Sequence, residues 1–522
     1  MYKAIDLYSG IGGWTLGMKL AGVENMASFE WWFEANQTHN FNFKTNHKEI
    51  DIRSIVPDRD LTHLKGIDFV VGSPPCTQFS FANRGGNGDL EDGMKDVAKF
   101  LEIVEYLKPK YWAMENVPRV AGILERELNE GSLTHYKQLV STIAIVDTSE
   151  YGVPQSRKRM VAGHFPFELF ESYKQKCQLR TLGQVLQGLA GDVIEDINYG
   201  YGLSRSKVTE LENEVDLTKE EERINKDSKT YHPIYNKMAF PDKLDRPSRT
   251  ITATCTRVSR ESIIVKSDTG FRRLNVRERG VLQGFPITYQ FYGRTLNSKF
   301  KMIGNAVPPI LTYYLFQSML EVKLEGLKSP FQSDYFHEQP AFKPYKSNLG
   351  LPKRKYPAKR KFQFAVPNLR YGSGVRFELS NDIKSEDLDW SFKFFYGNSK
   401  NIKSINLDKQ LKESLAPIVN TSHNEIFTDC VKHLEKKYKG LDSAQLQDFW
   451  VSTESDYEVF CFLDEVGKCV RTILEKADFE GLDETLIEAI VEEKNKKLNE
   501  NHESILTGFY FLSSLNNKLF NR

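Results

Sequence analysis

The chain has 522 residues, with 71 Lys and Arg against 70 Asp and Glu, for a formal net charge of +1. At 40% hydrophobic and 27% charged residues it can bury a sizeable core, which excludes a disordered or fibrous protein, and the length predicts roughly three domains. A neutral total argues neither for nor against nucleic acid, because a basic cleft can hide inside it.

The N-terminus, MYKAIDLYSG, reads as a strand over residues 2–7. It has neither the basic n-region nor the apolar h-region of a secretory signal, and no apolar run approaches the length of a membrane helix. Further strands are predicted at 26–29, 69–72 and 111–114, with an edge strand near 143–146. Residues 100–107 carry apolar side chains at helical spacing, with Asp96 as the start signal. Strands alternating with helices predict a doubly wound, mostly parallel α/β sheet, which binds ligands beyond the C-terminal ends of its strands.

The alternation fades after His164. From there to Arg272 the chain is richer in Lys, Arg, Ser, Thr and Tyr, and helical patterning resumes at 276–283 and 310–320. From 329 to 365 come prolines and the basic run LPKRKYPAKRK, which reads as a linker; without an acidic residue between Leu351 and Ala365 it could also track phosphates. Beyond it lies a separate α+β domain. It has strands at 375–379 and 390–395 and a helix whose Val459, Phe462, Leu463, Val466, Val470 and Ile473 share one face. That domain carries no recognisable nuclease motif and its function is not legible. The six cysteines are scattered without a CxxC pair, so neither a zinc site nor a disulfide framework is indicated, no metal is expected, and a reduced cytoplasmic setting fits.

Each loop after a strand holds something unusual: YSGIGG, GSPPCTQFS, ENVP, then VPQSRKR at 153–159, RRLNVRERGVLQGFP at 272–286 and GNAVPP at 304–309. Taken alone, Gly10, Gly12 and Gly13 read equally as a ligand cradle or a tight strand-to-helix turn. Their spacing is not the pyrophosphate fingerprint. Glu30, ending the second strand, stands where an acidic residue accepts from ribose hydroxyls in such sheets. A lone cysteine is usually a buried apolar side chain. Cys76, however, follows a double proline that stiffens its approach, and precedes 77–83 and Gly85, Gly86 and Gly88, which read as a segment able to close over a substrate. Trp112 and Met114 put Glu115 on a buried strand, where an unpaired carboxylate is costly and therefore expected to work. Arg157 and Arg159 alternate onto one face of a strand.

In this order the six blocks resemble the DNA cytosine-5 methyltransferase family, over residue 1 to about 320. The resemblance implies a class I methyltransferase-like catalytic domain over 1–164 and 273–328, split by a target recognition domain at 165–272. A linker at 329–365 and an accessory domain at 366–522 lie outside it. It implies S-adenosyl-L-methionine as methyl donor, held by Tyr8, Ser9, Gly10, Gly12, Gly13, Glu30, Trp31 stacked on adenine, Asp51 at the exocyclic amine, Ile52, Pro75 and Asn305. Catalysis falls to Cys76, which adds to C6 of a flipped-out cytosine, to Glu115 at N3, and to Arg157 and Arg159, with Arg159 against the base. DNA contacts fall to Ser80, Arg249, Thr250 and Thr252. Gln155, Arg273, Glu278 and Gly284 are read as structural. One departure is that Thr77, not Gln, follows the cysteine, and this bears on loop contacts to DNA rather than on the nucleophile. The expected partners are double-stranded DNA and a cognate restriction endonuclease, for a cytoplasmic, nucleoid-associated monomer of bacterial or phage type. Two other readings stay open: a tRNA-modifying relative on the same fold, and a catalytically idle DNA-binding protein, which predicts a damaged block that is not seen.

Overall fold

The computed structural model describes residues 1–75, 79, 89–230, 238–330, 356–372, 374–383, 389–398, 401–416, 424–452, 458–476, 484–491 and 496–520. The chain divides into two compact units, Met1–Asp216 with Pro241–Gly350, and Leu217–Phe240 with Leu351–Arg522.

The first unit is built on a six-stranded sheet in the order β2-β1-β3-β4-β6-β5. Its strands are β1 (Lys3–Leu7), β2 (Glu24–Phe29), β3 (Phe69–Gly72), β4 (Tyr111–Asn116), β5 (Thr142–Asp147) and β6 (Lys158–His164). β1 pairs in parallel with β2 and β3, and β3 with β4, whereas β6 runs antiparallel to both β4 and β5. The sheet is therefore mixed. The expected parallel order holds for four strands and then reverses, because the chain returns from β5 through a short 3-10 turn, Thr148–Tyr151, and not through a crossover helix.

Side chains leave successive strand positions on opposite faces, and both faces are covered. Ala4, Phe69, Val71, Ala113 and Val161 belong to one core with Trp14 and Phe316, which lie on α1 (Gly13–Ala21) and the helix Pro309–Met319. Ile5, Leu7, Val70, Trp112, Met114 and Met160 belong to the opposite core, under α2 (Leu90–Leu107) and α3 (Arg119–Glu130). α2 begins ten residues before the expected 100, and Asp96 lies inside it. Its cap is Asp89, whose side chain accepts from the Asp92 amide, leaving Asp96 free to serve an ion pair with Arg53 at 2.6 Å.

The middle region holds two small antiparallel ribbons, β7 (Val193–Asp196) with β8 (Tyr201–Ser204) and β9 (Ile264–Lys266) with β10 (Phe271–Arg273). The closing helices carry the caps their sequence supplies: Asn275 and Glu278 form a capping box for Val276–Leu282, Thr295 and Ser298 one for Leu296–Asn305, and Pro309 opens Pro309–Met319.

The second unit packs a four-stranded antiparallel meander, β11 (Gln363–Arg370), β12 (Arg376–Asp382), β13 (Asp389–Asn398) and β14 (Asn401–Asn406), against helices that include α4 (Asn424–Lys437), α5 (Glu458–Lys476) and α6 (His502–Leu519). The α5 face expected from Val459, Phe462, Leu463, Val466, Val470 and Ile473 is buried throughout. A helix from the middle of the chain, Lys219–Thr230, joins this unit: Ile224 packs on its core, and Glu220 pairs with Arg360, whose guanidinium lies between the rings of Tyr356 and Trp450. Among the described residues no helix is long and apolar enough to cross a membrane.

Candidate active site

The order β2-β1-β3 makes the chain leave β1 in opposite directions, so the loops after β1, β3 and β4 meet at one end of the sheet. The loop after β1 turns sharply: Tyr8, Gly10 and Gly12 have φ of 58°, 53° and 91°. The three glycines turn out to differ. A Cβ on Gly10 would meet nothing within 4 Å, so this position faces open space. A Cβ on Gly12 would come 2.3 Å from the Phe43 ring, and one on Gly13 2.2 Å from the Val307 carbonyl oxygen. These two glycines are required by packing of α1, whereas Gly10 leaves backbone approachable.

Glu30 closes this loop from β2. Its Oε2 accepts from the Gly10 amide at 2.8 Å and its Oε1 from the Trp31 and Trp32 amides at 2.9 and 2.7 Å. Burial pushes the carboxyl up from its usual range, and the three amides offset part of that. Ser9 is buried, and its Oγ makes no hydrogen bond to a described residue. Trp31 is 66% exposed. Asp51 is exposed and caps the turn Ile52–Ser54 by accepting from the Arg53 amide at 3.0 Å, while Ile52 is buried. Tyr8 is half-buried, its hydroxyl 3.2 Å from both the backbone and side-chain oxygens of Asp96. A buried hydroxyl in want of a partner, an open backbone turn and a carboxylate at the second strand end form a donor set suited to the ribose and amino-acid groups of a nucleoside such as S-adenosyl-L-methionine.

Beneath the loop, Asp6 of β1 accepts from the Thr15 amide at 3.1 Å and hydroxyl at 2.8 Å, and that hydroxyl lies 3.0 Å from His39 Nε2. Burial raises the Asp6 carboxyl to about 8 and lowers His39 to about 3, so both are neutral inside the fold. Sequence reading missed this network, whose only signal is a polar residue at an inward strand position.

Glu115 and Arg159 meet across the β4–β6 pair. Glu115 stands opposite Val161 and Asn116 opposite Met160, so Arg159 lies two residues along β6 on the face that Glu115 shares. The Arg159 Nε is 2.7 Å from Glu115 Oε1, with the two side chains 11% and 6% exposed. Arg159 Nη1 donates to the Lys158 carbonyl at 2.6 Å. Arg157 has a different setting: its guanidinium donates to the carbonyls of Ile251 at 2.9 Å, Gly304 at 2.8 Å and Ala306 at 3.4 Å. It joins the motif strand to the middle region and to the GNAV block. Gln155 does likewise, with Nε2 2.6 Å from Gln283 Oε1 and Oε1 2.8 Å from the Ile251 amide.

Cys76 and Ser80 lie outside the described residues, as do residues 77, 78 and 81–88 of the segment expected to close over a substrate. The approach to Cys76 is described. Asn116 Nδ2 donates to the Pro74 carbonyl at 3.1 Å while its Oδ1 accepts from the Val117 amide at 2.9 Å, and Trp14 Nε1 donates to Ser73 Oγ at 3.0 Å. The chain entering Cys76, through half-buried Pro75, is thus fastened to the end of β4 directly beside Glu115. Asn116 thus shapes the turn with one amide atom and anchors the approach with the other.

In the middle region Thr250 and Thr252 are half-buried; Thr250 Oγ1 donates to the Ser156 carbonyl at 3.1 Å and Thr252 Oγ1 to that of Thr254 at 2.9 Å. A Cβ on Gly304 would come 2.4 Å from the Thr252 backbone, so this segment lies directly on the GNAV block, where Asn305 is exposed. Arg249 pairs with Asp242 at 2.6 Å and donates to the Ser262 carbonyl, and Arg257 donates to the carbonyls of Val215 and Asp216. Both arginines brace the region internally. Arg273 and Glu278, read as structural, pair with Glu214 at 2.6 Å and Arg272 at 2.8 Å. No group of three or more potential metal ligands occurs among the described residues.

The profile of the C-5 cytosine-specific DNA methylase family matches residues 2–321. The chain is 29% identical over 337 residues to the type II methyltransferase M.HindV of Haemophilus influenzae, covering 63% of this chain and 99% of that one. It is 28% identical over 323 residues to the type II methyltransferase M.HgiDI of Herpetosiphon aurantiacus, covering 61% and 94%. Among solved structures, the Dnmt2 methyltransferase of S. pombe aligns at a TM-score of 0.46 and 18% identity, covering 62% of this chain and 99% of that one.

Proposed function

The chain belongs to the C-5 cytosine-specific DNA methylase family, and from that premise we propose that its first unit methylates C5 of a cytosine extruded from duplex DNA, through a transient bond from Cys76 to C6. The observation that carries this reading is the buried Glu115–Arg159 pair at 2.7 Å, on the strand end to which Asn116 ties the chain entering Cys76. A pyrimidine bound at that strand end would meet a carboxyl and a guanidinium, with the approach to the nucleophile tied beside them.

In the intact aromatic ring, cytosine C5 is too electron-poor to attack an alkyl donor. Cys76 addition at C6 relieves this, since a thiolate is both a strong nucleophile and a good leaving group. Glu115 holds a proton at N3, where negative charge develops, and Arg159 fixes that carboxyl while directing positive charge at the base edge. Arg157, engaged with three carbonyls, acts as a positioning residue, aligning β6 with the Ile251 and Gly304 segments. S-adenosyl-L-methionine, held by Ser9, Gly10, Glu30, Trp31 and Asp51 with Tyr8, Ile52, Pro75 and Asn305 around them, supplies an electrophilic methyl when bound. Loss of the C5 proton then releases Cys76 and restores the ring.

The region 165–272 is proposed as the target recognition domain, with Ser80, Thr250 and Thr252 toward DNA and Arg249 supporting them; its stretch Leu217–Phe240 belongs to the second unit. The relatives' type II designation supports a place in restriction-modification beside a cognate endonuclease, with the protein in the cytoplasm. The test is covalent trapping on a duplex carrying 5-fluorocytosine, with tRNA as the competing substrate. A stable adduct on duplex DNA is expected, abolished by Cys76→Ser and slowed on the order of 100-fold or more by Glu115→Gln. Normal methylation by Cys76→Ser, or adducts on tRNA alone, overturns the reading.

A further inference from the structure

The second unit holds two cysteines that meet. Cys430 lies on α4 and Cys469 on α5, and both are nearly buried, at 8% and 5% exposed. Each sulfur lies 3.9 Å from the carbonyl oxygen of the other residue, a reciprocal arrangement in which the two side chains run toward one another. Facing side chains on adjacent helices are the arrangement a disulfide needs, whereas cysteines on diverging vectors cannot be bridged. The pair is reachable: a surface pocket of about 380 Å³ is lined by both cysteines together with Asp429, Lys476 and Glu465, the last paired with His433 and Lys468.

We propose that Cys430 and Cys469 form a dithiol modification site, closed to a reversible disulfide by low-molecular-weight disulfides such as oxidised glutathione. Either sulfur can attack first, and Lys468 and Lys476 lining the pocket favour a thiolate there. Where Cys430 leads, its thiolate attacks one sulfur of the oxidant; the oxidant's S–S bond breaks and one glutathione thiolate leaves. Cys469 then gives up its proton, its sulfur attacks Cys430, and the second glutathione leaves as thiolate. Two electrons and two protons pass from the protein to one oxidant, which yields two thiols. The product staples α4 to α5. In a reducing compartment such bonds form transiently and sense oxidant rather than build the fold.

The full-length protein is treated with oxidised glutathione under native conditions, remaining thiols are alkylated, and the digest is mapped by mass spectrometry. A peptide pair joined through Cys430 and Cys469 is expected, at least tenfold above a dithiothreitol-treated control and reversed by reductant. Cys469→Ala is expected to lose the joined pair and retain glutathione on Cys430, while Cys461→Ala leaves the pair intact. Complete alkylation of both cysteines in the oxidised wild-type protein, or a joined pair arising only in denaturant, overturns the proposal. Because the readout is mass and not methylation, it stands or falls independently of the reaction assigned to the first unit.

Discussion

Asp6 and His39 lie within hydrogen-bond reach of one hydroxyl, yet they pull stability in opposite directions with pH. Asp6 has its folded value raised to about 8 from 3.8, so its contribution is full below about 4 and is lost as pH rises toward 8. His39 has its value lowered to about 3 from 6.5, so its contribution is full above 6.5 and is lost as pH falls toward 3. Between about 4 and 6.5 the two slopes oppose, and from about 6.5 to 8 only Asp6 acts. The unfolding free energy should therefore decline across that upper window, by up to about 1.4 kcal/mol per pH unit from this one group. Asp6→Asn should flatten the profile there, read from urea melts at a series of pH values; an unchanged slope would mean that Asp6 is charged in the fold.

At the scale of elements, α1 is held against Pro309–Met319 by a backbone approach that only glycine permits. A Cβ on Gly17 would lie 2.2 Å from Thr312 Oγ1 and 2.8 Å from the Thr312 backbone carbon, and Thr312 Oγ1 accordingly reaches the Gly13 carbonyl at 2.9 Å. Gly17→Ala gains about 1 kcal/mol of helix propensity, but it must displace backbone, so the overpacking cost of about 1–3 kcal/mol wins. The expected result is a lower Tm of the first unit by scanning calorimetry. The four parallel strands were legible because their apolar runs are bounded by loops with unmistakable residues, and the helix at 310–320 by its periodicity. β6 was legible only as the alternation of Arg157 and Arg159. A strand such as KRMVAGH is buried where it pairs, and nothing in its pattern says that it runs antiparallel. At the proposed site the sequence singled out residues whose chemistry demands a residue type, and the structure places the Glu30 carboxyl against the loop after β1 and Glu115 in a buried pair with Arg159. The sequence was opaque where the role is packing: Gly12 and Gly13 could be assigned to Phe43 and Val307 only once the partners were seen, and Arg157 looks like Arg159 until its carbonyl partners are known.

At the scale of the whole molecule, the two units are interleaved in the chain. The polypeptide passes from one to the other after Asp216, after Phe240 and again after Gly350, three passages in all. A chain ended after residue 328 would keep Lys219–Thr230 while losing Arg360, Tyr356 and the core on which Ile224 packs. That truncation should reduce soluble yield and increase proteolysis near 217–240, assayed by limited trypsin digestion. Replacing Leu217–Phe240 in the truncated chain with a short Gly/Ser linker should restore solubility. If the simple truncation is as soluble and protease-resistant as the full chain, the helix does not depend on the second unit.

The three passages bear on descent. A domain acquired by fusion at the end of a gene needs a single breakpoint, and it can later be lost or exchanged through the same junction. Here Glu220 and Arg360 are encoded 140 codons apart yet meet in one folding unit, so a breakpoint anywhere between them separates the two partners. Exchange of the middle segment between related genes would carry half of a matched pair into a foreign partner, which ties the inheritance of the tail to that of this segment.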